Sequence, residues 1–218
     1  GYKTLFISSE MPASQIAIRK DVVLGHINGY KFTHTQLKKG EGLDEKEYAS
    51  FLKKFSKGHE IILNHIDQKS ITLSGIAAKV RKYKPELLII DGIQLLGSDN
   101  KKDAAWERMM ELFYGIKNLS TANGIASFIS TQANRGASDI FSPPSPKDIA
   151  LGDALLQASD VAMSMCRVED EPKQAMIYFQ KFRDGEMPCD YVTLEFDVDK
   201  GIIKEIDSSR INDQTSSI

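Results

Sequence analysis

The groups in this sequence able to do chemistry fall where apolar runs give out. Leu87-Leu-Ile-Ile90 is a continuous apolar run behind a charged approach, suited to a strand buried on both faces of a parallel sheet, and Asp91 follows it directly. In open α/β sheets ligands sit outside the carboxyl ends of the strands. A carboxylate there could hold a nucleotide's Mg²⁺ through water, or it could simply cap a turn. Glu10, between the β-prone Lys3 to Ser8 and Pro12, is a second carboxylate at a strand-to-helix junction. Its plain role would be to face the helix amino terminus, favourable by about 0.3–1 kcal/mol. A third apolar run ends in Thr131-Gln132-Ala-Asn-Arg135, and Lys181 and Arg183, two apart on an extended segment, point the same way.

The elements that must position these groups follow in an order that defines a fold. Lys3 to Ser8 reads as a strand, and Pro12 opens a helix carrying Ile16, Ile18, Val22 and Val23 at helical spacing. Residues 25–58 form a polar helical insert whose Lys38-Lys39 and Lys53-Lys54 pairs suit solvated faces. Glu60 to Asn64 is a strand, and Ser70 to Lys82 an amphipathic helix leading into the strand that ends at Asp91. Strand, helix, strand, helix, strand calls for a parallel sheet with right-handed crossovers. Ala104 to Leu119 is a helix whose Trp106 is assigned to packing, and Asn123 to Ser130 is a further buried strand. A Gly/Pro/Ser-rich loop and a short helix over Asp148 to Gln157 come next. Three strands complete the pattern, over Asp160 to Cys166, Gln174 to Gln180 and Tyr191 to Phe196, with a polar, mobile tail beyond Asp207. Cys166, Met163, Met165 and Met176 are expected in the core.

Composition narrows the classes. The 218 residues are 41% hydrophobic and 27% charged, which suits one folded domain and excludes a disordered chain. A formal charge of −2 provides no global attraction to nucleic acid, so any DNA contact must come from local loops. Two cysteines, Cys166 and Cys189, make neither a metal site nor a disulfide framework and point to a reducing cytoplasm. His26, His34, His59 and His65 are scattered and read as surface or core residues, and no stretch has the apolar length of a membrane span.

Taken together, the motifs resemble the carboxyl-terminal motor domain of the DnaB-type replicative hexameric helicases, a branch of the RecA-like ATPases. Ser8-Ser-Glu-Met11 resembles their glutamate motif, Leu87-Leu-Ile-Ile-Asp91 with Gln94-Leu-Leu96 their Walker B strand, Ser130-Thr-Gln-Ala-Asn-Arg135 their sensor motif, and Lys181-Phe-Arg-Asp-Gly185 their Lys-x-Arg-x-Gly segment. The resemblance implies a RecA-like α/β fold with a mostly parallel central sheet, flanking helices and antiparallel strands at the carboxyl-terminal side. Residues 1–206 would be the motor domain, with 25–58 as its helical insert and 207–218 as a flexible tail. It further implies ATP and Mg²⁺ as cofactors, with Glu10 orienting the attacking water, Asp91 facing the metal and Gln132 sensing the γ-phosphate. Arg135 would lie at the nucleotide, and Arg183 with Lys181 would reach into a neighbouring subunit's site as an arginine finger. Implied partners are single-stranded DNA, other copies of the chain in a homo-hexamer, primase and a helicase loader, in the cytoplasm of a bacterium or of a phage's host. Phosphoryl transfer is catalysed by positioning and by neutralising charge on the equatorial oxygens, work for which a carboxylate, an amide, a metal and a guanidinium are suitable.

The implied DNA contacts lie on the loops after the Walker B and sensor strands, here Ser98 to Lys102, with Lys101 and Lys102, and Gly136 to Gly152, with Lys147 and Gly152. Ala150 stands where an arginine is usual, leaving Lys147 or the backbone near Gly152 as substitutes. The larger departure is the absence of Gly-x-x-x-x-Gly-Lys-Ser/Thr, which in the family precedes the strand that begins this sequence. Retention of Glu10, Asp91, Gln132 and Arg183 leads to the expectation of a truncated motor in place of a degenerate one. The competing classes are a RecA-like recombinase or clock-type ATPase, and a non-catalytic module that docks on a helicase ring or DNA.

Overall fold

A computed structural model describes residues 2–55, 61–65, 71–99, 105–132, 140–143 and 152–209. Lys101, Lys102, Arg135 and Lys147 lie outside the described residues, as do positions 210–218 of the expected tail. The chain folds as two compact units, Gly1–Ile18 with Asp44–Gln132, and Arg19–Leu43 with Ala133–Ile218.

The first unit is built on a four-stranded sheet in the order β2-β1-β3-β4, from β1 (Thr4–Ser8), β2 (Ile61–His65), β3 (Leu87–Asp91) and β4 (Ala126–Ile129). Every pairing in it is parallel. β1 and β3 occupy the middle, each with an apolar centre of which Leu5, Ile7, Leu88 and Ile90 are fully buried. Their register sets Ser8 opposite Asp91, so both strands end at one level of the sheet. Helix α3 (Glu45–Phe55) buries Phe51, α4 (Leu73–Tyr83) buries Ile76 and Val80, and α5 (Ala105–Asn123) buries Leu112 and Ile116. Thr72 caps α4 by accepting from the Gly75 N–H.

The second unit is built on an antiparallel sheet in the order β5-β6-β7-β8, from β5 (Val161–Val168), β6 (Glu171–Phe182), β7 (Tyr191–Asp197) and β8 (Ile202–Ser209). It also holds the later part of α1 (Ala13–Ile27), with α2 (His34–Lys39) and α6 (Gly152–Ala158). The turn between β7 and β8 is pinned to the start of α2. There Asp199 accepts from the Thr35 amide at 2.8 Å and its hydroxyl at 2.7 Å. Gly201, at φ +69°, sits so close to the Val22 backbone that a Cβ would lie 2.8 Å from it.

Several expectations from sequence are corrected. The helix after residue 104 continues to Asn123, so β4 starts only at Ala126. Among the described residues β4 pairs with β3 alone, and it is exposed along most of its length, where a buried strand was expected. β8 is a fourth antiparallel strand and extends to Ser209, into the expected tail. Trp106 is 55% exposed and does not pack into the core. Alternation along β5 buries Ala162, Ser164 and Cys166, which turns Met163 and Met165 outward. Cys166 is in the core as expected. The insert region is α2 and α3 with the end of α1, and its paired lysines occupy the last turns of α2 and α3, where cations favour the helix carboxyl terminus.

Candidate functional site

The carboxyl ends of β1, β3 and β4 bring together residues that are far apart in sequence. Ser8 ends β1 beside Asp91, and its hydroxyl donates to Asp91 Oδ2 at 2.9 Å. Ser130, just past β4, donates its hydroxyl to Asp91 Oδ1 at 2.9 Å. The carboxylate is thus held by one hydroxyl on each side, and each oxygen keeps lone-pair capacity for a further partner. Both serines also accept from the backbone: Ser8 Oγ from Met11 N at 3.0 Å, Ser130 Oγ from Gly92 N at 3.0 Å. The latch therefore fixes the chain leaving β1 and the turn leaving β3.

Glu10 stands on that turn out of β1, and its Oε1 accepts from Gln94 Nε2 at 2.9 Å and from Gln132 Nε2 at 2.8 Å. Gln94 arrives on the 3₁₀ turn Ile93–Leu95, which begins immediately after Gly92. Gly92 adopts φ +84°, and a Cβ there would lie 2.8 Å from Glu10 Cγ and 2.9 Å from Ser9 Oγ. Only glycine allows both the left-handed turn and the close approach of Glu10. The Ser9 hydroxyl closes the same turn by donating to the Gly92 carbonyl at 2.7 Å.

The loop after β3 is anchored at its base. Asp99 accepts from the Ser74 hydroxyl at 2.6 Å and the Ser74 N–H at 3.0 Å. Hydrogen bonds from Ser74, then from Thr72, hold its carboxyl below the ordinary carboxylate range. Gly97 N adds a bond to the Ile71 carbonyl at 2.8 Å.

In the second unit Lys181, near the end of β6, donates its amine to the carbonyls of Leu156 and of Ser159, the latter at 2.9 Å. Arg183 donates to the Gln157 carbonyl at 2.8 Å and pairs with Asp160 at 3.0 Å. The two cations do point the same way, and both meet the carboxyl end of α6. Gly152, expected on a DNA-facing loop, is the first residue of that helix.

A family model, the DnaB-like helicase C-terminal domain, matches residues 1–203. The chain belongs to that family. No curated protein sequence matches it significantly. Among solved structures, a DnaB-like replicative helicase described with its interactions with primase superposes with a TM-score of 0.78 at 18% identity, covering 94% of this chain and 50% of that one. The ATPase domain of G40P gives a TM-score of 0.77 at 16% identity, covering 94% of this chain and 75% of that one. These likenesses establish the RecA-like helicase fold, and the chain spans half the length of the first of these proteins.

Within this DnaB-like domain, Glu10, Asp91 and Gln132 meet in one hydrogen-bonded cluster, while Lys181 and Arg183 form a cluster in the second unit. Ser8, Ser130 and Gly92 were not singled out from sequence. Their signal is positional: a hydroxyl at the end of each strand flanking Asp91, and a glycine directly after it. Among the described residues no group of three or more His, Cys, Asp or Glu side chains could hold a metal ion. A lone carboxylate with spare lone pairs suits Mg²⁺, which is commonly held by one or two carboxylates together with substrate phosphates. No helix among the described residues is long and apolar enough to cross a membrane.

Proposed function

We propose that this chain is the motor domain of a replicative DNA helicase, which hydrolyses ATP at the subunit interfaces of a homo-hexameric ring and translocates on single-stranded DNA. The observation that carries the reading is the convergence of Gln94 and Gln132 on one oxygen of Glu10, beside Asp91, at the carboxyl ends of a parallel sheet.

Two amides on Oε1 fix the rotation of the Glu10 carboxylate and leave Oε2 to take a hydrogen bond from the attacking water, which it orients and from which it accepts the proton. Each amide nitrogen carries two hydrogens. Gln132 can therefore keep Glu10 with one and offer the other to a γ-phosphate oxygen, so that phosphate contact and base orientation pass through the same amide. Asp91, held by Ser8 and Ser130, is the residue that would face Mg²⁺, whose bound charge would neutralise the β- and γ-phosphate oxygens. Arg183 with Lys181 serves the neighbouring subunit's nucleotide, a contribution on the order of 10³ to 10⁵ in rate for fingers supplied in trans. Lys101, Lys102, Lys147 and the backbone at Gly152 are the proposed DNA contacts, and Arg135 a further nucleotide contact. Primase, with which one of the similar helicases interacts, and a helicase loader are the proposed protein partners.

The test is ATP hydrolysis by the full-length polypeptide that carries this chain, with and without single-stranded DNA. DNA-stimulated turnover is expected, abolished by Glu10→Gln with nucleotide binding retained. A folded, assembled, nucleotide-binding protein with no turnover would overturn the motor reading in favour of a non-catalytic module.

A further inference from the structure

The second unit holds Arg183 at both its root and its head. Its backbone N–H donates to the Asp160 carbonyl at 2.8 Å, which fixes where the side chain starts. Its guanidinium then meets Asp160 Oδ1 at 3.0 Å through one terminal nitrogen and the Gln157 carbonyl at 2.8 Å through the other. Contacts on different nitrogens of a planar group set the orientation of its plane as well as its position. The Gln157 and Leu156 carbonyls belong to the last turn of α6, the helix end that carries partial negative charge, and Lys181 rests on the same turn. The Arg183 and Asp160 side chains are about half exposed, so Arg183 keeps N–H donors for a further acceptor.

We propose that Asp160 is a positioning residue for Arg183: with the end of α6 it forms a seat that presents the guanidinium at a fixed height and angle to a phosphate on the neighbouring subunit. The inference rests on the reading of Arg183 as a finger acting in trans. An unseated arginine would sample many rotamers, and displacement of a catalytic group by about 1 Å can cost on the order of a hundredfold in rate. The carboxylate makes no contact with substrate. Its removal changes turnover, not nucleotide affinity.

The experiment compares ATP turnover of wild type, Asp160→Ala, Asp160→Asn and Arg183→Ala in the full-length protein with single-stranded DNA. Asp160→Ala is expected to lower kcat by about ten- to a hundredfold while KM for ATP stays within about threefold. Asp160→Asn, which keeps an acceptor oxygen, is expected to recover most of that loss. When Asp160→Ala subunits are mixed with Glu10→Gln subunits, turnover should partly return. The Asp160→Ala subunit has an intact water-orienting site, and the Glu10→Gln neighbour supplies a seated arginine. If Asp160→Ala turns over like wild type while Arg183→Ala is inactive, the seat is wrong and the finger stands; if mixing restores nothing, the reading of Arg183 as acting in trans fails and the seat with it. If Arg183→Ala turns over like wild type, the finger reading itself fails.

Discussion

Replacing Gly92 by alanine tests the geometry of the site most directly, because one methyl group acts on both the backbone and the Glu10 side chain. At φ +84° an L-residue other than glycine is strained, at a cost of about 1–2 kcal/mol. The new Cβ would also lie 2.8 Å from Glu10 Cγ, closer than two carbon atoms tolerate, and in tight contact with Glu10 Oε1 at 3.1 Å. Glu10 must then move, and it cannot keep both amide bonds at 2.8 and 2.9 Å while its stem is pushed aside. A shift of about 1 Å in an orienting base costs on the order of a hundredfold in kcat. Gly124 is the control. It has φ +63°, and a Cβ added there would meet nothing within 4 Å, so Gly124→Ala carries the backbone strain without the clash. Both variants should lose about 2–8 °C in Tm. Only Gly92→Ala should lose about two orders of magnitude in ATP turnover at unchanged nucleotide affinity. Equal turnover in the two variants would refute the claim that Gly92 is there to let Glu10 approach.

Ser8→Ala combined with Ser130→Ala removes both hydroxyls from Asp91; stability should fall by about 1–3 kcal/mol, and the Mg²⁺ concentration for half-maximal turnover should rise several-fold, read from a magnesium titration of hydrolysis. Gly201→Ala places a Cβ 2.8 Å from the Val22 main chain, which cannot swing aside as a side chain would, so a loss of about 2–4 kcal/mol in chemical denaturation is expected. Asp197 and Asp199 both have carboxyls held below the ordinary value of 3.8, first by hydrogen bonds from Lys173 and from Thr35 respectively. A depressed carboxylate pKa stabilises the fold fully above the unfolded value of about 3.9 and loses that contribution as pH falls through the folded value. The double variant Asp197→Asn, Asp199→Asn should therefore unfold with a flatter dependence on pH below about 4 than wild type, measured by thermal melts across pH.

What can be read in advance from the chain depends on whether the cause is local. β1 and β3 are legible because both are short, apolar and followed by a polar group, a pattern that survives in any context that buries both faces. β4 looks equally buried by that criterion, yet among the described residues it pairs only with β3, and no local pattern reveals which strand takes the edge. β8 is hidden because Lys204, Glu205 and Asp207 interrupt its isoleucines, whereas pairing with β7 and the pinned turn at Asp199 to Gly201 decide its course. Glu10, Asp91 and Gln132 can each be placed at a strand end, but the bonds among them cannot be read. Ser8, Ser130 and Gly92 act through the register of three parallel strands, and register is a property of the assembled sheet.

The two clusters also differ in what holds them, and the difference bears on how each would respond to a partner. Around Glu10 and Asp91 the holding contacts are bonds from uncharged hydroxyls and amides to carboxylates, anchored at the ends of the parallel strands. Such bonds contribute more than neutral pairs; those on Asp91 are part-buried, and the two on Glu10 are exposed. Around Arg183 the holding contacts are an exposed ion pair and the carbonyls of the last turn of α6, a helix of 7 residues. Exposed pairs are weak, about 0–1 kcal/mol, and short helices draw their order from what they touch. The Asp91 and Glu10 carboxylates are therefore held by neutral donors, which salt screens less than an ion pair, while the seat of Arg183 is fixed only as firmly as α6. Raising ionic strength should accordingly weaken the contribution of Arg183 to turnover before it disturbs Glu10. A salt titration comparing wild type with Arg183→Ala would show the gap between them narrowing, and a gap constant from low salt to about 0.5 M would count against this division.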